Sequence, residues 1–402
     1  MQPSIHGGHL RNMYLHERSM AGPLASIRVL LVTGMPLGSC GGLSTHMLTL
    51  ERQLKGRVRD VAVVDGSRTR TIRVHFEAAS LTLIRRSPLR VEWLSARIRR
   101  LRSLIKQHFV SVDLIHAHDP IAAYAAAQCG VPIVMTCHGP MYEHAREAGL
   151  SCPRYLGLLQ RIETATICNS ARLIAVDKGQ RDILVRKGAD PDRIDEIPNA
   201  VDVSHVTSLA RNTIRKRAQP YFLMLRRLVP KNGPQYAVRA FLDWVGDRDV
   251  ELWIAGDGPL REEIQRLIAI HANGPKVILL GHVRNSDIPG LIARATATLV
   301  PSVPFEGVVE ATSIAALESL ALGVPVIASN IGGLVEIDQG KHVMLLVPPA
   351  DIGSISSAME SCIVRPLAVE RQRLIEHVET RFGATAWCER VLNTYQRALE
   401  FS

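Results

Sequence analysis

Strand and helix signals alternate along this chain, and the alternation begins twice. Ile27-Arg28-Val29-Leu30-Leu31-Val32-Thr33 is a short run rich in Leu and β-branched residues. A glycine-containing turn follows, and Leu43, Met47, Leu50 and Leu54 then fall on one helical face. Apolar runs at 61–64, 114–117, 133–136 and 173–176 continue the series, with helical stretches between several of them. After a polar, basic interval at 211–220 the series restarts with 221–225, 250–255, 277–280, 297–300 and 324–328. Strands joined through helices run parallel, and a parallel sheet is covered on both faces. The pattern predicts the α/β class with two doubly wound domains facing across a cleft. At about 100–200 residues per domain, the 402 residues accommodate both. The expected boundaries are 25–212 and 218–380, with a disordered leader at 1–24. A final helical segment, 381–402, is expected to pack back toward the first domain.

In such sheets ligands bind beyond the carboxyl ends of the strands, so the loops there carry the chemistry. Pro36-Leu37-Gly38-Ser39-Cys40-Gly41-Gly42-Leu43 opens a helix after the first strand. Its glycines allow close backbone approach, and a helix N-terminus favours an anion. The loop is not GxGxxG, which disfavours a dehydrogenase. Thr136-Cys137-His138-Gly139 ends another strand, and His116-Ala117-His118-Asp119 ends the one before it. Two histidines on one strand face invite a metal, but no third ligand is evident, so none is expected. For His116 a hydrogen-bonded structural role is the stronger reading.

In the second half, Arg226-Arg227-Leu228-Val229-Pro230-Lys231-Asn232-Gly233 follows a strand with basic groups suited to a diphosphate. Gly256-Asp257-Gly258-Pro259 is a tight turn that either meets a nucleotide base or only packs. Glu310 and Glu318, eight apart, lie about two helical turns apart and so share one face, and carboxylates suit vicinal hydroxyls.

Taken in order, Gly41-Gly42, Thr136-x-His138-Gly139, Arg227-Leu228-Val229-Pro230, Gly256-Asp257-Gly258-Pro259 and Glu310-x7-Glu318 resemble glycosyltransferase family 4. Pro198-Asn199-Ala200-Val201-Asp202 is similar to a further segment of that family. Each piece is modest; the ordered set, covering about 27–395, is specific. The resemblance implies a GT-B fold and transfer of a sugar from a UDP-, GDP- or ADP-sugar to a glycan or lipid-linked acceptor. It implies retention of configuration and no required metal or other cofactor. His138 and Glu310 would stand at the transferred sugar as the catalytic pair. Gly41, Gly42, Arg227 and Lys231 would hold the diphosphate. Gly256, Gly258, Thr312 and Ser313 would complete the donor site, with Glu318 at the ribose. The family commonly has Lys where this chain has Asn232, and often Gly where it has Ala311. Two other functions stay open at this point: a nucleotide-sugar epimerase of the same fold, and a non-catalytic sugar- or lipid-binding paralogue.

Charge and cysteine content bear on location. The net charge is +10, and the stretch from Arg52 to Lys106 alone holds 15 basic against 4 acidic residues. Val91, Leu94, Ile98, Leu101 and Ile105 fall at helical spacing beside Arg97, Arg99, Arg100, Arg102 and Lys106. Segment 85–106 therefore reads either as a helix on an anionic membrane or acceptor, or as one whose apolar stripe packs on the core. With aromatics at 4% and no stacking residues interleaved with the basic ones, nucleic acid is not expected. Seven scattered cysteines without a CxxC pair, and no Asn-x-Ser/Thr sequon, fit a reducing compartment. No run of about 18 apolar residues reads as a membrane span, and the N-terminus does not read as a signal peptide. The expected location is cytoplasmic, at most peripheral at the inner face of the cell membrane.

Overall fold

The computed structural model describes residues 23–37, 41–66, 89–108, 112–147, 149–212, 219–364 and 371–400. Most of the expected leader, the interval 213–218 and the start of the basic segment, 85–88, lie outside the described residues. The chain builds two six-stranded sheets in which every strand pairing is parallel. The first contains β1 (Arg28–Val32), β2 (Asp60–Val64), β3 (Leu114–Ala117), β4 (Ile133–Cys137), β5 (Arg172–Ala175) and β6 (Ile194–Glu196) in the order 2-1-3-4-5-6. The second contains β7 (Tyr221–Leu225), β8 (Glu251–Ala255), β9 (Val277–Gly281), β10 (Ala297–Val300), β11 (Val326–Ser329) and β12 (Leu345–Val347) in the order 12-11-10-7-8-9. Central strands such as β3, β4 and β10 are buried along their whole length, as expected where helices cover both faces.

Each sheet has one place where the strand order reverses: between β1 and β3 in the first, between β7 and β10 in the second. Chain leaves these two strands in opposite directions and opens a crevice there. The loops after β1 and β3 carry the glycine turn and His118. Those after β7 and β10 carry Arg226–Lys231 and Glu310.

The Ala384–Glu400 helix lies on the first domain. Trp387, Val391 and Tyr395 pack with Met47, Leu50, Val134 and Ile174. Thr394 Oγ1 donates to Asp195 at 2.7 Å, and the same carboxylate takes Arg172 and Arg397 at 2.8 Å each. The chain thus passes between domains twice, and the two crossings touch: Val201 N–H donates to Phe382 O, and Ala384 N–H to Val201 O.

Two sequence readings are corrected here. The basic stretch does form a helix, Leu89–His108, but Leu94, Ile98, Leu101, Leu104 and Ile105 are buried in the core of the first domain. The apolar stripe is consumed by packing and does not face a membrane. Arg97 donates to the Gly34 carbonyl and Arg102 to that of Ala125, leaving Arg99, Arg100, Lys106 and Trp93 on the surface. The second correction concerns the glutamates. The helix after β10 starts only at Ile314 and ends at Ala321, so Glu310 precedes it and only Glu318 is on it. Pro301 and Pro304 lie in the intervening segment, where missing amide donors disfavour helix.

Candidate active site

In the second domain the site is assembled by charge. β7 delivers Arg226 and β10 delivers Glu310, and at the switch point their side chains meet. The guanidinium donates to both carboxylate oxygens, Nη1 to Oε1 at 2.8 Å and Nη2 to Oε2 at 2.6 Å. It is further held by Asn232 Oδ1 at 2.7 Å, Ser302 Oγ at 3.0 Å and Ser313 Oγ at 3.2 Å. Lys231 Nζ reaches Glu310 Oε2 at 3.3 Å. Burial pushes the Glu310 carboxyl up, but Arg226 and Lys231 overcome this and hold it at about 2. Glu310 is therefore a carboxylate across the working pH range and offers only acceptors.

The arginine doing this is Arg226; the resemblance gave Arg227 to the diphosphate and named no partner for Glu310. Arg227 is exposed, and its carbonyl accepts from Asn232 Nδ2 at 2.8 Å. Asn232 thus stitches the loop and orients Arg226. Gly233, at φ +62°, turns the chain where a side chain would overlap the Pro301 carbonyl.

Glu318 is of the opposite kind. It is 9% exposed, and its carboxyl makes no hydrogen bond among the described residues. Burial raises its carboxyl to about 7. Such an acid is poised to take hydroxyl donors, at the cost of losing a proton.

In the first domain Asp119 ties the β1 and β3 loops together. It accepts from Thr33 Oγ1 at 2.7 Å and Gly34 N at 2.6 Å, and caps the Pro120–Ala126 helix through Ala122 N at 2.8 Å. Gly41 and Gly42 open the Gly42–Leu54 helix. Nothing lies within 4 Å of a side chain built on Gly41, while Gly42 abuts Ile314 across the cleft. His138, at the end of β4, stacks beside His118 with Nε2 3.4 Å from His118 Nδ1. His46, from the glycine-led helix, stands edge-on to both. Burial, aided by the neighbouring rings, keeps His118 and His138 well below the ordinary imidazole range. His116 is a structural histidine, bound to Tyr395 Oη and Thr136 Oγ1 at 2.7 Å each. His46 escapes a reading by spacing, because it stands far ahead of both His118 and His138 on a helix whose pattern reads only as amphipathic.

The two halves are in contact. Thr312 Oγ1 donates to Val176 O at 2.7 Å, and Asn199 Nδ2 to Thr312 O at 2.7 Å. The Thr312 hydroxyl and Ser313 Oγ are therefore engaged by the protein itself. Gly256 and Gly258 are set by packing: a side chain on either would overlap the Arg226 or Leu228 carbonyl. His144 reaches toward the same cationic cluster, and burial followed by Lys231 brings its ring down to about 4. The arrangement offers a cationic wall and a fixed carboxylate on one side. On the other it offers a glycine-led helix N-terminus and neutral imidazoles.

Known proteins match this architecture. Residues 40–205 match the family described as Glycosyltransferase Family 4, and residues 219–364 match Glycosyl transferases group 1. A glycogen synthase of Mycobacterium tuberculosis is 28% identical over 306 residues, covering 71% of this chain and 70% of its own. The UDP-Gal:alpha-D-GlcNAc-diphosphoundecaprenol alpha-1,3-galactosyltransferase of Escherichia coli is 26% identical over 282 residues, covering 65% and 70%. Among solved structures, Anabaena HepE in complex with UDP-glucose superposes with a TM-score of 0.66 at 17% identity, covering 92% of this chain and 99% of that one. That likeness is one of fold.

Proposed function

The chain belongs to glycosyltransferase family 4 and has its GT-B fold, and on that premise we propose that it moves a hexosyl group from a UDP-sugar to a glycan or lipid-linked acceptor with retention. One observation carries the reading: Glu310 is an ionised, buried carboxylate pinned by Arg226 and Lys231, and Ile314 of the helix that follows it abuts Gly42 of the other domain. The donor diphosphate lies between the Gly41–Gly42 helix start and the cations of the facing loop, Lys231 and the exposed Arg227. Charge developing on the departing diphosphate is met by groups already in place, which is where electrostatic catalysis has most effect. No metal is required for that role.

A carboxyl held at about 2 is neither an acid nor an effective base near neutral pH. Glu310 instead accepts hydroxyls of the transferred sugar and fixes its orientation. His138, neutral, adds a hydrogen bond from the other side. Glu318 takes the ribose hydroxyls. UDP as the nucleotide is supported by the galactosyltransferase relative, whose donor is UDP-Gal, and by the UDP-glucose complex of HepE. The lipid-linked acceptor class is supported by that same relative and the glycan class by the glycogen synthase. We further propose a cytoplasmic location, in which the exposed Arg99, Arg100 and Lys106 beside Trp93 meet anionic acceptors or lipid. No helix among the described residues is long and apolar enough to cross a membrane.

A thermal-shift screen with UDP, GDP and ADP tests the donor, since a ligand bound only by the native state raises its stability. UDP alone should shift the midpoint strongly. Equal shifts with GDP or ADP, or none with UDP, would reject the assignment. Analysis of UDP-glucose incubated without acceptor separates the alternatives: an epimerised sugar means an epimerase, and binding without turnover across a donor and acceptor panel means a non-catalytic paralogue.

A further inference from the structure

We propose that His46, His118 and His138 form a three-histidine site for a borderline divalent metal ion, zinc above all, which blocks the sugar end of the cleft when occupied. One ring nitrogen from each of the three lies within 4.8 Å of the others. Tetrahedral zinc with bonds of about 2.0–2.1 Å sets its nitrogens about 3.3–3.4 Å apart. His118 Nδ1 and His138 Nε2 already stand at 3.4 Å. Rotation of the half-buried His138 ring and a small shift of His46 close the rest.

The protonation pattern is arranged for a ligand. Asn199 gives its Nδ2 to the Thr312 carbonyl, so its Oδ1 is the atom facing His46 Nδ1 at 2.9 Å. His46 must donate through Nδ1 and present a lone pair at Nε2. That nitrogen is buried and has no hydrogen-bond partner among the described residues. An imidazole oriented by a carbonyl oxygen behind it is the usual support of a bound zinc. Burial keeps His46 at about 4 and the other two well below their ordinary range, so all three are neutral ligands at physiological pH. Three histidines leave a fourth position open to water or a substrate oxygen.

Inhibition follows from the placement and rests on the reading of His138 as a sugar contact. A metal that takes the His138 lone pair removes it from the sugar, and a ligand in the fourth position intrudes on the same space. The Arg226–Glu310–Lys231 cluster is separate and is untouched.

Cobalt(II) reports this site without reference to activity, because tetrahedral nitrogen coordination gives visible bands that octahedral ions in solution lack. Full-length protein treated with chelator should take up about one cobalt or zinc ion per chain, with intense visible absorption in the cobalt form. His118→Gln and His138→Gln should abolish the bands. Asn199→Ala should weaken binding by about 10–100-fold. His282→Ala, an exposed histidine outside the site, should change nothing. The melting profile of each variant shows that it is folded, and His138→Gln alters a half-exposed ring if His118→Gln does not fold. Absence of tetrahedral bands in the wild type, or equal uptake in folded His138→Gln, would overturn the site. Added zinc should suppress sugar transfer, and chelator should restore it. Stoichiometric zinc that leaves transfer unchanged, or raises it, would overturn the inhibitory role while leaving the glycosyltransferase reading intact.

Discussion

Replacing Arg226 with Ala removes the main partner of a buried carboxylate, and the loss can be worked from the site. Glu310 is held at about 2 against an ordinary 4.5. At about 1.4 kcal/mol per tenfold, that difference corresponds to about 3 kcal/mol of stabilisation near neutral pH. The sign follows from a depressed folded value: the contribution is complete above about 4.5 and is lost as pH falls through about 2. In Arg226→Ala only Lys231 remains, so burial again pushes the carboxyl up. Breaking one side of a buried pair costs about 3–5 kcal/mol by other measures, which brackets the same figure. For a domain of this size each kcal/mol moves the melting midpoint by about 2–4 °C, so a fall of about 6–12 °C is expected at pH 7.5. The gap between wild type and variant should narrow as pH approaches 3. Scanning calorimetry of the nucleotide-free proteins measures both. A midpoint within about 2 °C of the wild type would refute the account of Glu310 as a pinned anion. Arg226→Met/Glu310→Gln should recover part of the loss, because no lone buried charge remains.

Three further outcomes follow. Glu318 is raised to about 7 by burial alone, and hydroxyl donors from a ribose favour its ionised form. UDP binding should therefore release a proton and weaken about tenfold per pH unit below 7 in titration calorimetry, and Glu318→Gln should flatten the profile. Asp177 and Glu336 face each other across the domain boundary, raised to about 6 and about 7, each by burial first and then by neighbouring carboxylates. Their joint ionisation repels, so the radius of gyration by X-ray scattering should grow between pH 5.5 and pH 8, and Glu336→Gln should suppress the change. Arg99, Arg100 and Lys106 should give co-sedimentation with anionic vesicles at low salt that is lost in the triple Glu variant, whereas Leu94 and Ile98, being core residues, should affect folding instead.

The two-domain plan was legible because buried parallel strands leave continuous apolar runs, and ten of them stand out in the chain. β6 and β12 did not, for each is only three residues long, and the Ile194-Asp195-Glu196 strand is mostly polar. Asp195 sits there as a receptor for Arg172, Arg397 and Thr394, a role that only the folded chain reveals. The residues near the cleft were mostly named from spacing and resemblance, but their duties were not. Two adjacent arginines look alike in sequence, and only the direction in which each leaves β7 makes Arg226 the carboxylate's partner and leaves Arg227 in the open. The glycines of Gly256-Asp257-Gly258 read either as ligand contacts or as a packed turn, and only the fold shows the carbonyls of Arg226 and Leu228 standing where their side chains would be. The histidine cluster escaped because its third member arrives from another helix. For the basic helix two readings stayed open, because periodicity tells that a face is apolar but not what covers it.

The central claim is that this cleft transfers a sugar from UDP-sugar using Glu310 as a fixed anion. Release of UDP from UDP-glucose or UDP-galactose, in the presence of a panel of glycan and lipid-linked acceptors, tests it most directly when wild type and Glu310→Gln are compared. The account predicts acceptor-dependent UDP release by the wild type. It also predicts a fall of about 100-fold or more in Glu310→Gln, measured on protein shown to be folded, because the amide loses the anion that accepts the sugar hydroxyls together with the ion pairs to Arg226 and Lys231. Transfer at the wild-type rate by a folded Glu310→Gln protein would contradict it.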